Sequence, residues 1–349
     1  MKRILIKVSF IILSLLILTQ SLMAEVIYVN SRNGSDNNPG TIEKPLHSIK
    51  RAASIVNNST GSGATTIKLA PGIYNFSSFV VFESGRVYTE KERLVIEASI
   101  LPDDHEWNPT VMPVILSTED PRKEGNLDKM TETYCLKIKE SHVTIRGLKF
   151  LGNPLGNNWH CAVERVGKEL DDLIITQCMF VGDNDGMNIY CGALATGDRF
   201  IIDHCIFSNC YASVVFWDGT EGIGGKGNVM RYCIVDGAYI SGVWTCQTRS
   251  DLEFHHNIIT GSEYFWMRKP GDTIQYLLHD CIVTGNKYYS GYGVESGPTT
   301  RTGPEVTFME KNVIKKGRVV LEKDKKKKTY LHISKGTFGS ELGAGLFKK

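Results

Sequence analysis

The chain has 349 residues, of which 42% are hydrophobic and 22% are charged, and this composition excludes an intrinsically disordered protein. Its formal net charge of +2 is unevenly spread, because residues 1–24 carry +3, residues 311–349 carry +9 and residues 25–310 carry −10. An acidic body excludes a nucleic-acid-binding protein with a basic face, so we expect no nucleic-acid partner.

Residues 1–24 have the pattern of a secretory signal peptide. Three basic residues precede an apolar run that reaches Leu18, and residues 21–24 offer a cleavage site. The run is short and no charged stop-transfer segment follows it, which disfavours a membrane anchor. We therefore expect a secreted protein, periplasmic or extracellular, with no stable membrane insertion after cleavage and one folded domain over residues 25–349.

Residues 46–56 are predicted to form a helix. Their apolar residues recur at helical spacing, and a strand pattern follows at residues 67–74. We therefore expect a short helix here, ahead of the first predicted strands.

Seven copies of a short segment occupy residues 143–314. They align without gaps and repeat every 24 to 31 residues. Within each copy the apolar residues alternate as in a strand, and stacked coils bury an apolar side that one coil cannot bury alone. The column on which the copies align is Leu148, Cys178, Cys205, Cys233, Asn257, Cys281 and Asn312.

The nine cysteines are interpreted through this stacking. An odd number cannot all pair within the chain, and no C-x-x-C pair suggests a structural zinc site. Neighbouring coils lie about 4.8 Å apart, so Cys178, Cys205 and Cys233 would form rungs of a buried ladder. The same spacing lies within reach of a disulfide, so that alternative stays open.

The repeats resemble the right-handed parallel β-helix proteins of the pectin-lyase-like superfamily over residues 25–317. Residues 29–41, with Pro45 and Ile49, are similar to the opening of many secreted β-helix polysaccharide lyases and glycosidases. The resemblance implies an all-β, single-stranded right-handed parallel β-helix, a polysaccharide substrate bound along the outer face of the first sheet, and a monomer. The implied parts are an N-terminal cap over about 25–60, coils over about 61–317 and a C-terminal cap over about 318–349. In the N-terminal cap, the predicted short helix would cover the open end of the coils, which is otherwise an exposed sheet edge.

The first strand of each coil is expected just before each repeat copy. Tryptophans that face outward on successive coils are costly without a ligand, and flat rings suit the apolar faces of sugars. We therefore predict Trp217, Trp244 and Trp266 as a sugar platform; the alternative is that loops cover them. Alternation along the strands predicts these outward side chains: Glu164, Trp217, Asp218, Trp244, Trp266, Arg268 and Glu295.

The resemblance also implies a mechanism. Polyuronate lyases of this architecture remove the C5 proton with an Arg or Lys base, while bound Ca²⁺ neutralises the substrate carboxylate. Arg268 and Lys269 are the implied bases, and Asp183 and Asp185 the implied calcium ligands, with Glu164 nearby on the preceding coil. The Asp-Asn-Asp-Gly run that contains the two aspartates is equally a plain turn.

Two other functions stay open beside elimination from an acidic glycan, which the resemblance favours. A glycoside hydrolase needs two carboxylates, and the candidates on the first-sheet side are Glu164, Asp218, Glu221, Asp236 and Glu295. A non-catalytic glycan-binding or adhesin scaffold would use the tryptophans alone.

The histidines follow the repeat as well. His204, Tyr232 and His256 share the column just before the ladder, so we expect them to stack for structural reasons. His255 and His279 share an outward column of the second sheet, away from the expected groove. A metal site there needs a third ligand, which the sequence does not identify.

Overall fold

The computed structural model describes residues 24–122, 132–155, 159–167, 169–217, 225–246, 251–269, 272, 274–293, 300–301 and 308–348. The predicted signal peptide, except Ala24, lies outside them. The described chain winds into about eight turns of a right-handed parallel β-solenoid, which confirms the predicted fold class. No helix in this part of the chain is long and apolar enough to cross a bilayer.

Nine strands form the first sheet, and all neighbours are parallel except the last pair. Parallel pairing follows from the coil, because each turn returns the chain to the same edge in the same direction. These strands are Val80–Phe82, Thr133–Ile138, His160–Arg165, Cys191–Ala195, Ala212–Trp217, Ser241–Cys246, Tyr264–Arg268, Tyr288–Gly293 and Thr300–Arg301.

A seventeen-stranded sheet carries two rows of strands, called here the second row and the third row; Leu277–Thr284 runs through both. The second row contains Glu25–Val29, Thr65–Leu69, Leu94–Ala98, Val143–Arg146, Asp171–Thr176, Asp198–Asp203, Asn228–Arg231, Leu252–His255, Leu277–Thr284 and Met309–Ile314. The third row contains Ile73–Phe76, Val114–Ser117, Lys149–Leu151, Met179–Val181, Ile206–Ser208, Ile234–Asp236 and Ile258–Thr260. A separate pair is formed by Thr60–Ser62 and Gly85–Val87.

The predicted N-terminal helix is confirmed as α1, Ile49–Asn57. Its N-cap is Ser48, whose hydroxyl accepts a hydrogen bond from the Arg51 amide at 3.0 Å and so satisfies one of the free N–H groups of the first turn. At the other end, the Asn57 amide donates to the Val81 carbonyl at 2.9 Å. This bond ties the helix to the first strand of the first sheet.

The predicted register is confirmed for six of the seven repeat copies. Phe180 stacks between Phe150 and Phe207 in the third row, with ring centroids 4.9 and 4.6 Å away. Like residues therefore lie on like residues in the core, as stacked coils require. In the second row the aligned residues are Ile145, Ile175, Ile202, Met230, Phe254 and Leu278.

The seventh copy is shifted by one residue from its predicted alignment. Met309 pairs with Leu277 rather than Leu278, and Asn312 lies beside Asp280 instead of Cys281. The bend between the two rows explains the shift, because it needs one residue with positive φ and asparagine tolerates that conformation. The residues at this bend, called here the bend column, are Gly147, Gln177, His204, Tyr232, His256, Asp280 and Asn312.

The cysteines divide into two groups. Cys178, Cys205, Cys233 and Cys281 are buried in the ladder next to the bend column, as predicted. The other five are not ladder rungs and lie elsewhere in the coils: Cys135, Cys161, Cys191, Cys210 and Cys246. All nine are free thiols, so the disulfide alternative is not realised.

The C-terminal residues, predicted as a cap, lie along the side of the solenoid. Leu331 and Leu346 pack on outward apolar residues of the third row, from Met179 to Ile282. Trp107, from the loop between the strands Leu94–Ala98 and Val114–Ser117, contacts Phe347 in this same cover, with ring centroids 5.5 Å apart. The C-terminal segment lies here because the row of outward methionine and isoleucine side chains has to be shielded from water.

Phe180→Ala is expected to destabilise the protein by about 3–5 kcal/mol, since it removes the middle ring of a fully buried stack and leaves a cavity. Urea unfolding followed by circular dichroism measures the change. Phe180→Leu is the matched control and should lose less. A loss below about 1 kcal/mol for the alanine variant would contradict the stacked core.

Candidate functional site

In several first-sheet strands two successive residues face the interior, and this feature determines which side chains reach the surface. Ala162 and Val163 are both in the core, and so are Phe265 and Trp266. Strict alternation is therefore broken inside these strands, and the residues after the break change sides. The resulting outward column, aligned across the coils, is Lys137, Glu164, Leu194, Val215, Trp244, Met267 and Gly291.

A pocket of about 360 Å³ opens on this outer face of the first sheet. Such a volume is within the usual range for small-molecule sites. Trp159 and Tyr190 form one aromatic wall, with ring centroids 4.4 Å apart. The complete lining is Glu132, Trp159, Cys161, Glu164, Val166, Tyr190, Cys191, Leu194, Val215, Trp217 and Trp244.

Glu164 is the buried carboxylate of this pocket, with only 8% of the residue exposed. Its strand neighbours in the outward column are Lys137 on one side and Leu194 on the other. Burial raises the pKa of the Glu164 carboxyl, and the Lys137 ammonium, 3.0 Å away, opposes that rise without cancelling it. The site thus contains a carboxyl group that keeps its proton to higher pH than an ordinary glutamate does.

A second carboxylate, Glu132, lines the same pocket and accepts a hydrogen bond from the Tyr134 hydroxyl. Burial, this bond and the nearby carboxylates raise the pKa of Tyr134, so the phenol stays protonated. The Lys137 ammonium lies 3.9 Å from the centre of the Tyr134 ring. Glu132, Tyr134, Lys137 and Glu164 therefore form one connected polar group beside the aromatic wall.

Two cysteines line the pocket, and the pKa of Cys191 is raised. Cys161 and Cys191 face each other on adjacent strands. Hydrogen bonding to Cys161 and burial raise the pKa of Cys191 above its ordinary value. Because a cysteine nucleophile requires a lowered pKa, Cys191 is not activated for covalent catalysis.

Three of the predicted outward residues do lie at the pocket: Glu164, Trp217 and Trp244. The prediction for Trp266 is wrong, because its ring is fully buried in the core and its indole N–H donates to the Thr245 hydroxyl at 2.9 Å. Trp266 does not face outward because it follows the inward residue Phe265 without the expected change of side. Asp218 and Glu295 lie outside the described residues.

The outward orientation predicted for Arg268 is wrong for the same reason. Its guanidinium is fully buried and donates to the Ile274 carbonyl at 2.7 Å. Asp272 lies 3.9 Å away as its ion-pair partner, and the Tyr276 ring lies 4.8 Å away. Burial lowers the pKa of Arg268, as a base would need, but the side chain faces away from the pocket. Lys269 follows it, half-buried, with its amide bonded to the Thr245 carbonyl at 3.0 Å.

Asp183 and Asp185, the predicted calcium ligands, occupy an exposed turn. The Asp183 carboxylate accepts the Asp185 amide at 2.9 Å, and the Asp183 and Met187 backbones bond to each other. The local hydrogen bonds are those of the plain turn that the sequence also allowed. Calcium binding at these residues stays a prediction.

Sequence reasoning missed Glu132, Tyr134, Trp159 and Tyr190. Glu132 and Tyr134 belong to the coil before the first repeat copy, where no period is visible in the sequence. Trp159 and Tyr190 come just before their strands, in positions that the repeat does not constrain. Trp159 lies two residues before Cys161, whereas Tyr190 lies one residue before its register partner Cys191, so a repeat alignment does not place the two rings together.

Known proteins match the chain in fold. A family model described as "Right handed beta helix region" matches residues 135–308. A solved rhamnogalacturonan lyase aligns at a TM-score of 0.54 with 12% identity, over 77% of this chain and 70% of that one. No curated protein sequence matches.

Two other solved structures align less closely. Lacto-N-biosidase from Eubacterium ramulus gives a TM-score of 0.40 with 14% identity, over 77% of this chain and 55% of that one. Pectin methylesterase from Aspergillus niger gives 0.39 with 10% identity, over 92% of this chain and 94% of that one. At such identities the likeness concerns the fold.

Arg268→Met is expected to destabilise the protein by about 3–5 kcal/mol, because it leaves the buried Asp272 carboxylate without its guanidinium. Thermal and urea unfolding measure the loss. The double variant Arg268→Met/Asp272→Asn should recover much of it, since no uncompensated charge remains. Wild-type stability in the single variant would show that Arg268 is not held in the interior.

Proposed function

Because the chain is a right-handed parallel β-helix protein with the pectin-lyase-like fold, we propose that it is a secreted carbohydrate-active enzyme whose substrate binds in the first-sheet pocket. The proposed reaction is hydrolysis of a glycosidic bond in a neutral polysaccharide. The observation that carries the proposal is Glu164, a buried carboxyl with a raised pKa, in the same aromatic-walled pocket as a second carboxylate, Glu132.

The pocket walls suit a sugar. Trp159, Tyr190, Trp217 and Trp244 offer flat apolar surfaces, which can cover the C–H faces of pyranose rings. The carboxyl groups of Glu132 and Glu164 supply hydrogen-bonding partners for sugar hydroxyls. Apolar walls with a few convergent polar groups are the usual composition of a small-molecule site.

The two carboxylates suit the two roles of glycoside hydrolysis. Glu164 holds its proton and would donate it to the departing glycosidic oxygen as general acid. Glu132 would take a proton from the attacking water or attack the anomeric carbon itself. Lys137 then stabilises the Glu164 carboxylate that remains after proton transfer, because the ammonium lies only 3.0 Å away.

The charge of the pocket favours a neutral glycan over a polyuronate. Two glutamates line it, and among the described lining residues none is basic. A uronate carboxylate would find no counter-charge among these lining residues. The lack of a basic lining residue and the inward orientation of Arg268 both favour hydrolysis over β-elimination. The calcium-dependent elimination that the resemblance implied would have to use Lys269 as base, with Asp183 and Asp185 as calcium ligands.

One assay separates these reactions. The purified mature protein is incubated with neutral polysaccharides (arabinan, xylan, galactan) and with polygalacturonate, each with and without a chelator. Hydrolysis predicts new reducing ends without ultraviolet-absorbing unsaturated products, and no loss with chelator. Unsaturated ends from polygalacturonate that need Ca²⁺ would replace the proposal by elimination, and tight binding without cleavage would replace it by a scaffold function.

Glu164→Gln is expected to lower kcat by about 10²–10⁴-fold, because an amide cannot donate the proton. The matched control is Glu140→Gln, which changes another buried glutamate whose pKa is also raised by burial but which lies outside the pocket lining. The control should retain wild-type turnover. Equal activity of the two variants would remove Glu164 from the mechanism.

The pH profile gives an independent check on the same residue. Since the raised pKa belongs to the group that must be protonated, activity should fall as pH rises through the pKa of Glu164. The residual activity of Glu164→Gln should lack this alkaline limb.

Trp217→Ala is expected to weaken binding of the cleaved glycan about tenfold, equivalent to about 1.4 kcal/mol, because one stacking surface is lost. Tyr239→Ala, which removes an exposed aromatic outside the pocket lining, is the control. KM and tryptophan-fluorescence titration report the change. Unaltered binding in Trp217→Ala would mean that the sugar lies elsewhere.

A further inference from the structure

A cluster of two imidazoles and a carboxylate lies on the second row, at its bend with the third row. His256, His279 and Asp280 each place one ligand atom within 4.8 Å of the others. Within the described part of the chain this is the one group of three such residues. All three are half-buried, with 29% of the His279 and 31% of the Asp280 side chain exposed, so an ion could reach them from solvent.

The coil brings these residues together through register and bend geometry. His256 and Asp280 occupy the bend column of adjacent coils, both with φ of 53°. His279 precedes Asp280 on the outward side of its strand, and its carbonyl accepts the His256 amide at 3.3 Å. The three ligands thus come from two hydrogen-bonded coils, and the backbone limits how far they can separate.

We propose that His256, His279 and Asp280 bind a first-row divalent transition-metal ion such as Zn²⁺. Imidazole nitrogen with carboxylate oxygen is a donor set that zinc accepts, at about 2.0–2.2 Å from the ion. Ligands at that distance lie closer together than 4.8 Å, so binding draws the side chains inward by a small rotamer change. Three protein ligands leave at least one position for water.

The surrounding side chains orient the ligands. The Asn312 amide donates to one oxygen of Asp280 at 2.7 Å. The Nδ1 atoms of His255 and His256 lie 2.8 Å apart. The other ring nitrogen of His255, Nε2, lies 2.8 Å from the Glu253 carboxylate. Such outer partners fix ring orientation and tune affinity in known metal sites.

The donor set also indicates which ions should fail. Ca²⁺ and Mg²⁺ require mostly oxygen ligands, and two of the three donors here are nitrogens. Lys311 pairs with His279 in the next coil, so its ammonium adds an opposing positive charge near the site. Removing that charge should strengthen binding, which a purely structural histidine stack would not predict.

The test is a Zn²⁺ titration of the chelator-treated mature protein, by calorimetry and by competition with a chromogenic chelator. One Zn²⁺ ion per chain is expected, and excess Ca²⁺ should not displace it. His279→Ala and Asp280→Asn should each weaken binding at least tenfold, and Asn312→Ala about tenfold. His204→Ala changes a bend-column histidine two coils away and should bind Zn²⁺ as tightly as wild type. Lys311→Ala should bind it more tightly.

A second measurement keeps the proposal testable if a variant folds poorly. Co²⁺ bound to nitrogen and oxygen ligands gives visible absorption, which should appear with the wild-type protein and with His204→Ala and be absent with His279→Ala. Circular dichroism checks the fold of each variant. No saturable Zn²⁺ binding to wild type, or equal binding in the folded His256→Ala/His279→Ala double variant, would overturn the proposal.

Discussion

In-register stacking of parallel coils is the constraint on which the rest of the structure depends. In the repeat copies one residue with positive φ lies at the bend between the second and third rows, and in most of them a buried residue such as Cys205 or Cys233 follows it. Once the bend is aligned, backbone hydrogen bonds between coils put every residue on its counterpart. A column in the sequence is therefore a line of contacts in space, and a chemical group repeated in a column becomes a local array.

The outward columns differ in what covers them, and this difference determines which parts of the surface stay open. The third row carries apolar residues such as Ile206 and Ile258, which the C-terminal segment covers. The first sheet carries mixed aromatic, apolar and charged residues, and a concave pocket is left open there. The bend column carries His204, Tyr232 and His256, stacked with centroids 4.7 and 4.8 Å apart as the sequence predicted.

Repetition made the second and third rows predictable from sequence, since alternation holds there through whole strands. The first sheet could not be predicted equally well, because Phe265 and Trp266 both face inward and reverse the sides of the residues that follow. The sequence carries no mark of that break. The third ligand, Asp280, was not predicted either, although it directly follows His279 in the chain. The predicted alignment of the last copy was off by one residue, and it therefore did not place Asn312 against Asp280.

The position of Glu164 within its column explains why a carboxyl in this pocket can act as an acid. The rung before it supplies the Lys137 ammonium, which favours the carboxylate, and the rung after it supplies the apolar Leu194 side chain, which favours the protonated form. The raised pKa means that desolvation outweighs the ion pair. A sugar that fills the pocket would exclude more water and increase the desolvation further, so substrate binding itself would help to keep the proton on Glu164 until it is transferred.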